Sequence, residues 1–278
     1  MLRTRVITAV ALMPLVLGML FLANRAVWSA FVLVVVLLAC WEWSRMCGLS
    51  PRGRSLWLAA SGIIGAFAWL MYLGLAPGNF AAASLTAFII AAAFWVVGAP
   101  AWLGKKLRPS PSTCAAAGWI VAWPTWFALV VLRDASPWLL LALAVVVWVA
   151  DIAAYFAGRR FGKHKLAPAV SPGKTWEGVV GGMVGVALYG LALCAIAERW
   201  DTPITPFFAP AGGLPAVLAM LALTAVSIVG DLFESWMKRG AGLKDSSNLL
   251  PGHGGVLDRI DALTSSLPVA ALLLWVAS

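Results

Sequence analysis

The chain of 278 residues is 62% hydrophobic and only 11% charged, with a mean hydropathy of +0.93. Such a composition excludes an ordinary soluble globular domain. A net charge of +9 would suit nucleic acid in a soluble protein. In a chain of apolar spans it reflects orientation and anionic headgroups, so no nucleic-acid partner is expected.

Apolar runs long enough to cross a hydrocarbon core of roughly 30 Å recur throughout. The first, Val6–Leu22 after Arg3 and Arg5, has the look of a signal peptide. Because equally long runs follow, it is expected to be an uncleaved first span. Nine spans are predicted, at about 6–22, 26–43, 56–74, 80–98, 115–132, 138–157, 178–197, 214–234 and 260–277. The expected fold is all-α, a polytopic integral membrane protein. It divides into an N-terminal part of five spans (1–135) and a C-terminal part of four (136–278), with loops at 158–178 and 235–261. Asn24 and Arg25 join the first two spans so tightly that they must form a helical hairpin. The cysteines, Cys40, Cys47, Cys114 and Cys194, show no CxxC spacing and read as buried free thiols.

Seventeen of the twenty Lys and Arg residues fall in alternate connections, leaving Arg25, Arg133 and Arg199 for the others. The positive-inside rule then predicts a cytoplasmic N-terminus, an external C-terminus and cytoplasmic loops at 158–178 and 235–261. Tryptophans near predicted span ends, among them Trp28, Trp43, Trp57, Trp102, Trp138, Trp200 and Trp236, read as interfacial anchors. Glu42, the one acid in residues 1–130, reads most simply as another interfacial group.

From residue 150 onward three clusters stand out. The first is Asp151 with Tyr155, one turn apart on one helix face, followed by Gly158-Arg159-Arg160-Phe161-Gly162-Lys163. An ionised acid inside an apolar helix costs about 2.5–3.5 kcal/mol on insertion scales, so Asp151 is a site candidate or a packing pair with Tyr155. The second is Ser171-Pro172-Gly173-Lys174-Thr175-Trp176-Glu177-Gly178. Hydroxyls, a lysine and free amides at a helix start make an anion site. It lacks Walker A spacing, and simple capping by Ser171 or Thr175 is the plainer alternative.

The third cluster runs from Asp231 to Asp261 and packs Lys238, Arg239, Lys244, Asp245, His253, Asp258, Arg259 and Asp261 around Pro251-Gly252-His253-Gly254-Gly255. Asp231 and Ser235 are one turn apart, as are Glu234 and Lys238. Asp258 and Asp261, spaced i, i+3, are expected to share a face and to need a cation between them, for which Mg²⁺ is suited. The basic residues fit phosphate oxygens, and Gly254 and Gly255 allow close approach of backbone amides.

The run Ser235-Trp236-Met237-Lys238-Arg239, Lys244-Asp245, Ser247, Leu250-Pro251, His253-Gly254-Gly255-Val256 and Asp258-Arg259-Ile260-Asp261 resembles the signature of the phosphatidate cytidylyltransferases, or CDP-diacylglycerol synthases. The first two clusters are similar to that family's as well, so the resemblance covers roughly 148–261. It implies conversion of CTP and phosphatidate to CDP-diacylglycerol and pyrophosphate with Mg²⁺, with room for a second cation. It also implies a multi-pass cell-membrane protein working at the cytoplasmic face, in the inner membrane if bacterial; a homodimer is compatible with it. On charge spacing, Asp231, Asp258 and Asp261 are assigned to cations, with Asp245 a fourth candidate. Lys238, Arg239 and Lys244, with Ser171, Lys174 and Thr175, are assigned to phosphates. Ser235, His253, Gly254, Gly255, Arg259, Asp151 and Tyr155 complete the expected substrate site. The rival readings are a CTP-dependent lipid-alcohol kinase and, from another class, a transporter with acids at its midplane. A CDP-alcohol phosphotransferase is disfavoured, since the pattern DGxxAR…GxxxDxxxD is absent.

Overall fold

The computed structural model describes residues 2–75, 77–208 and 213–277. A backbone surrounded by hydrocarbon must satisfy its own hydrogen bonds, and helices do so within one segment. The described chain is accordingly almost entirely helical: α1 (Leu2–Leu22), α2 (Arg25–Ser44), α3 (Pro51–Leu70), α4 (Pro77–Ala93), α5 (Ala99–Gly104), α6 (Pro111–Ala135), α7 (Pro137–Phe161), α8 (Trp176–Arg199), α9 (Thr205–Phe208), α10 (Gly213–Gly240) and α11 (Leu257–Ala277). π-helical turns extend α3 and join α4 to α5. Among the described residues eight helices are long and apolar enough to cross a membrane, and Val6–Leu22 adds a shorter apolar one.

Several helix starts follow directly from the sequence. Ser50-Pro51, Ser110-Pro111 and Ser136-Pro137 each open a helix, the serine Oγ accepting from the amides of Gly53 (3.1 Å), Thr113 (3.2 Å) and Leu139 (3.4 Å). Proline fits the first helical position, where its missing N–H costs nothing. Ser171-Pro172 breaks this pattern. It lies in β2 (Ser171–Thr175), antiparallel to β1 (Lys165–Ala167), and the cap of α8 is Thr175, whose Oγ1 accepts from Gly178 N at 3.1 Å. The expectation that the whole Ser171–Gly178 stretch opens a helix is corrected to a hairpin that leads into one.

Helices α7 and α8 pack through small residues. A Cβ at Gly182 would stand 3.1 Å from Ala150 O, and one at Gly181 would overlap Ala157 Cβ. Small residues let backbones approach closely where no hydrophobic drive between helices exists. Gly181→Val should therefore pry the pair apart at about 1–3 kcal/mol, read as a lower thermal midpoint in detergent. The tryptophan belt is only partly realised. Trp138 and Trp200 are exposed, but Trp28, Trp43 and Trp57 are buried between helices. Their indole N–H groups donate to the carbonyls of Leu129 (3.2 Å), Cys114 (2.8 Å) and Ala115 (3.1 Å), so they tie α2 and α3 to α6. All four cysteines are buried and free.

Candidate active site

A cleft of about 410 Å³ opens where α7 ends and α8 begins. Helical spacing places Asp151, Tyr155 and Arg159 of α7 along one wall, with Tyr155 Oη accepting from Arg159 at 3.0 Å. The β1–β2 hairpin folds back over the last turn of α7 and supplies Ser171, Lys174 and Thr175 to the other wall. Gly158 makes this seat possible, since a Cβ there would lie 2.9 Å from Thr175 Oγ1. Glu177 fixes the root of the hairpin: its carboxylate accepts from the His164 amide (3.2 Å) and contacts His164 Nδ1 (2.7 Å). Much of the remaining lining is apolar (Ala150, Ala154, Val179, Ile228), with Thr224 the polar lining residue from α10.

Lys174 Nζ pairs with Asp231 Oδ2 and so joins the hairpin to the end of α10. Ser235 Oγ donates weakly to Asp231 Oδ1 (3.4 Å). Helices α10 and α11 touch beside Asp231, because a Cβ on Gly230 would collide with Ser265 and approach Asp261 O to 3.1 Å. This contact brings Asp261 into the electrostatic company of Asp231 and Glu234. Glu234 is buried; no N–H or hydroxyl donor reaches its Oε1, and its carboxyl lies within hydrogen-bonding reach of the Asp261 carboxyl. Its other oxygen pairs with Lys238 at 3.1 Å, and Lys238 also reaches Asp258 Oδ1 at 2.7 Å.

Asp258 and Asp261 therefore face different neighbours, although their spacing suggested a shared cation. Asp258 Oδ2 accepts from Ser246 N (2.9 Å), Ser246 Oγ (3.0 Å) and Gly255 N (2.8 Å). With Lys238 on Oδ1, both its oxygens are engaged by protein donors. Asp245 and Lys244 are exposed on the loop, and Arg239 of α10 and Arg259 of α11 are exposed beside it. Among the described residues no three His, Cys, Asp or Glu side chains gather as a metal-holding group. The four assigned acids divide into a pair, Asp231 and Asp261, a loop-bound Asp258 and a surface Asp245.

The loop between α10 and α11 turns at Gly252 (φ 76°) and Gly254 (φ 83°), left-handed conformations that favour glycine. A short bridge closes the turn, Leu250 N donating to Gly254 O and His253 N to Leu250 O, both at 2.8 Å. His253 Nδ1 is buried without a partner. Sequence reasoning missed the residue that meets this loop from the other half of the chain. Glu42, at the end of α2, is fully buried and accepts from Ser246 Oγ (3.0 Å), Ser247 Oγ (2.5 Å), Val256 N (2.9 Å) and Leu257 N (2.6 Å). Its only sequence signal was being the single acid of residues 1–130.

A bundle of apolar helices with lysine, arginine and hydroxyl groups converging on a cleft at one end has the form of a membrane-embedded, phosphate-handling protein. Residues 3–277 match the model of the Cytidylyltransferase family, and the chain belongs to that family. It is 40% identical to a phosphatidate cytidylyltransferase of Pseudomonas aeruginosa, over 100% of this chain and 98% of that protein. Proteins of the same name from Haemophilus influenzae (35%, 96% of each chain) and Brucella suis (36%, 98% of this chain and 92% of the relative) are similar over comparable lengths.

Proposed function

We infer that the chain converts CTP and phosphatidate to CDP-diacylglycerol and pyrophosphate. The observation that carries this reading is the lining of the cleft: anion-binding groups from the end of α7 and the hairpin, together with apolar residues of α7, α8 and α10. That combination suits a substrate with a phosphate head and acyl tails. The bond that forms joins a phosphatidate phosphate oxygen to the α-phosphorus of CTP; the bond that breaks frees pyrophosphate. The attacking oxygen is already anionic, so no side chain has to take a proton. Lys174, Arg159, Ser171 and Thr175 bind and orient phosphate oxygens, and preorganised charge of this kind is the main catalytic resource in such transfers.

The hard oxygens of Asp231 and Asp261, with the Glu234 carboxyl against Asp261, fit Mg²⁺. This ion commonly takes one or two carboxylates, with substrate phosphates and water completing its shell, so the lack of a three-residue cluster is no obstacle. When bound there, Mg²⁺ supplies neutralisation of triphosphate charge and polarisation of the α-phosphate. The positive-inside rule, applied to the basic loops, supports a cytoplasmic position for this end of the bundle, where CTP is available. Purified protein given CTP and phosphatidate should release pyrophosphate, and EDTA should abolish the release. CDP release with a polyprenol, and none of pyrophosphate with phosphatidate, would instead identify the lipid-alcohol kinase.

A further inference from the structure

We propose that Glu42 is a positioning residue for the transfer: from α2 it holds the loop between α10 and α11 in its working shape. The proposal rests on the reading of the site given above and assigns a task to the N-terminal helices, none of which lines the cleft.

The loop has no regular secondary structure beyond one bridge, and its donors lie at the edge of an apolar bundle, where unpaired N–H groups are costly. Two carboxylates share them. Asp258, from α11 itself, takes Ser246 N, Ser246 Oγ and Gly255 N. Glu42 takes Ser246 Oγ, Ser247 Oγ, Val256 N and Leu257 N. The last two are the amides that open α11, so the charge also sits at the positive end of that helix. Ser246 Oγ stands 3.0 Å from both carboxylates and gives its one proton to either, so the hydroxyl bridges α2 and α11 in a single clamp. Arg45, three residues beyond Glu42, adds a bond from its guanidinium to Ser246 O at 3.0 Å. Gly255 is what lets Glu42 in: a Cβ there would overlap Glu42 Oε1 and Ser246 Oγ. The loop so held carries Lys244, Asp245 and His253 and leads directly into Asp258 and Asp261. Glu42 has no route to the substrate, being enclosed by these donors and wholly buried. It acts through them.

Glu42→Gln keeps the volume but loses the charge and points an amide N–H₂ at groups that need an acceptor. Two readouts test the clamp: turnover with CTP and phosphatidate, and trypsin cleavage after the exposed Lys244 in proteoliposomes. The expected result is a kcat lower by on the order of 100-fold, the scale of a misplaced catalytic group, with faster cleavage at Lys244. Wild-type kcat together with wild-type cleavage would overturn the proposal. A fall in kcat with unchanged cleavage would overturn it too, because Glu42 would then act otherwise than by holding the loop. If Glu42→Gln fails to fold, Ser247→Ala, which removes one donor, is judged by the same pair of readouts, with smaller changes in both expected. Cleavage is independent of the assigned reaction, so failure of the wild type to use CTP and phosphatidate would reject the functional reading while the protease result still decided the clamp.

Discussion

Replacing Lys174 with methionine is expected to lower kcat/KM for CTP by on the order of 1,000-fold, the upper range for removing one preorganised charge or donor at a site of developing charge. Two losses combine. A cation at the cleft mouth disappears, and Asp231 loses the partner that offsets its charge beside Asp261 and Glu234. Lys174→Arg keeps the charge but spreads it over a planar fork, and should recover part of the rate. The Lys174–Asp231 pair is about a quarter exposed on each side (27% and 28%), so the fold should survive. Steady-state pyrophosphate release and a thermal scan on the same preparations separate the two effects. A variant within threefold of wild type would remove Lys174 from the substrate site.

Gly255→Ala should be among the most damaging single-methyl changes at the described glycines. The added Cβ has no free direction, with Ser246 Oγ and Glu42 Oε1 both in its way. Overpacking of this sort costs about 1–3 kcal/mol, and here it falls on the clamp that shapes the loop, so activity should be lost along with several degrees of thermal midpoint. Gly62→Ala is the control. Nothing stands within 4 Å of a Cβ at Gly62 in α3, and alanine is the better helix former. Its midpoint and turnover should match wild type. Equal behaviour of the two variants would show that the loop does not pack as described.

Hydropathy made the spans legible, because a run of about twenty apolar residues has few alternatives to a helix across a bilayer. Local spacing was legible too: Asp151 and Tyr155, one turn apart, both line the cleft, as do Lys174 and Thr175. What escaped were pairings across long stretches of chain. Glu42 and Ser246 are 204 residues apart, and no spacing rule connects them. The i, i+3 spacing of Asp258 and Asp261 set their common face but not their partners. Those came from Lys238, the Ser246 hydroxyl and the Gly255 amide on one side, and from α10 on the other. Ser171-Pro172 has the same letters as three true helix starts, but here the chain must first return from the end of α7, and a hairpin makes that return. The buried tryptophans deceived for a related reason: position near a span end does not tell whether an indole faces lipid or a neighbouring helix.

The two candidate reactions differ in which phosphorus of CTP is attacked. Protein in phosphatidate-containing nanodiscs can be given CTP labelled at the α-phosphate in one reaction and at the γ-phosphate in another, and the lipid extracted. The α-label is expected in the lipid fraction and the γ-label in aqueous pyrophosphate, both dependent on Mg²⁺. γ-Label in the lipid with the α-label left in water as CDP would contradict that expectation.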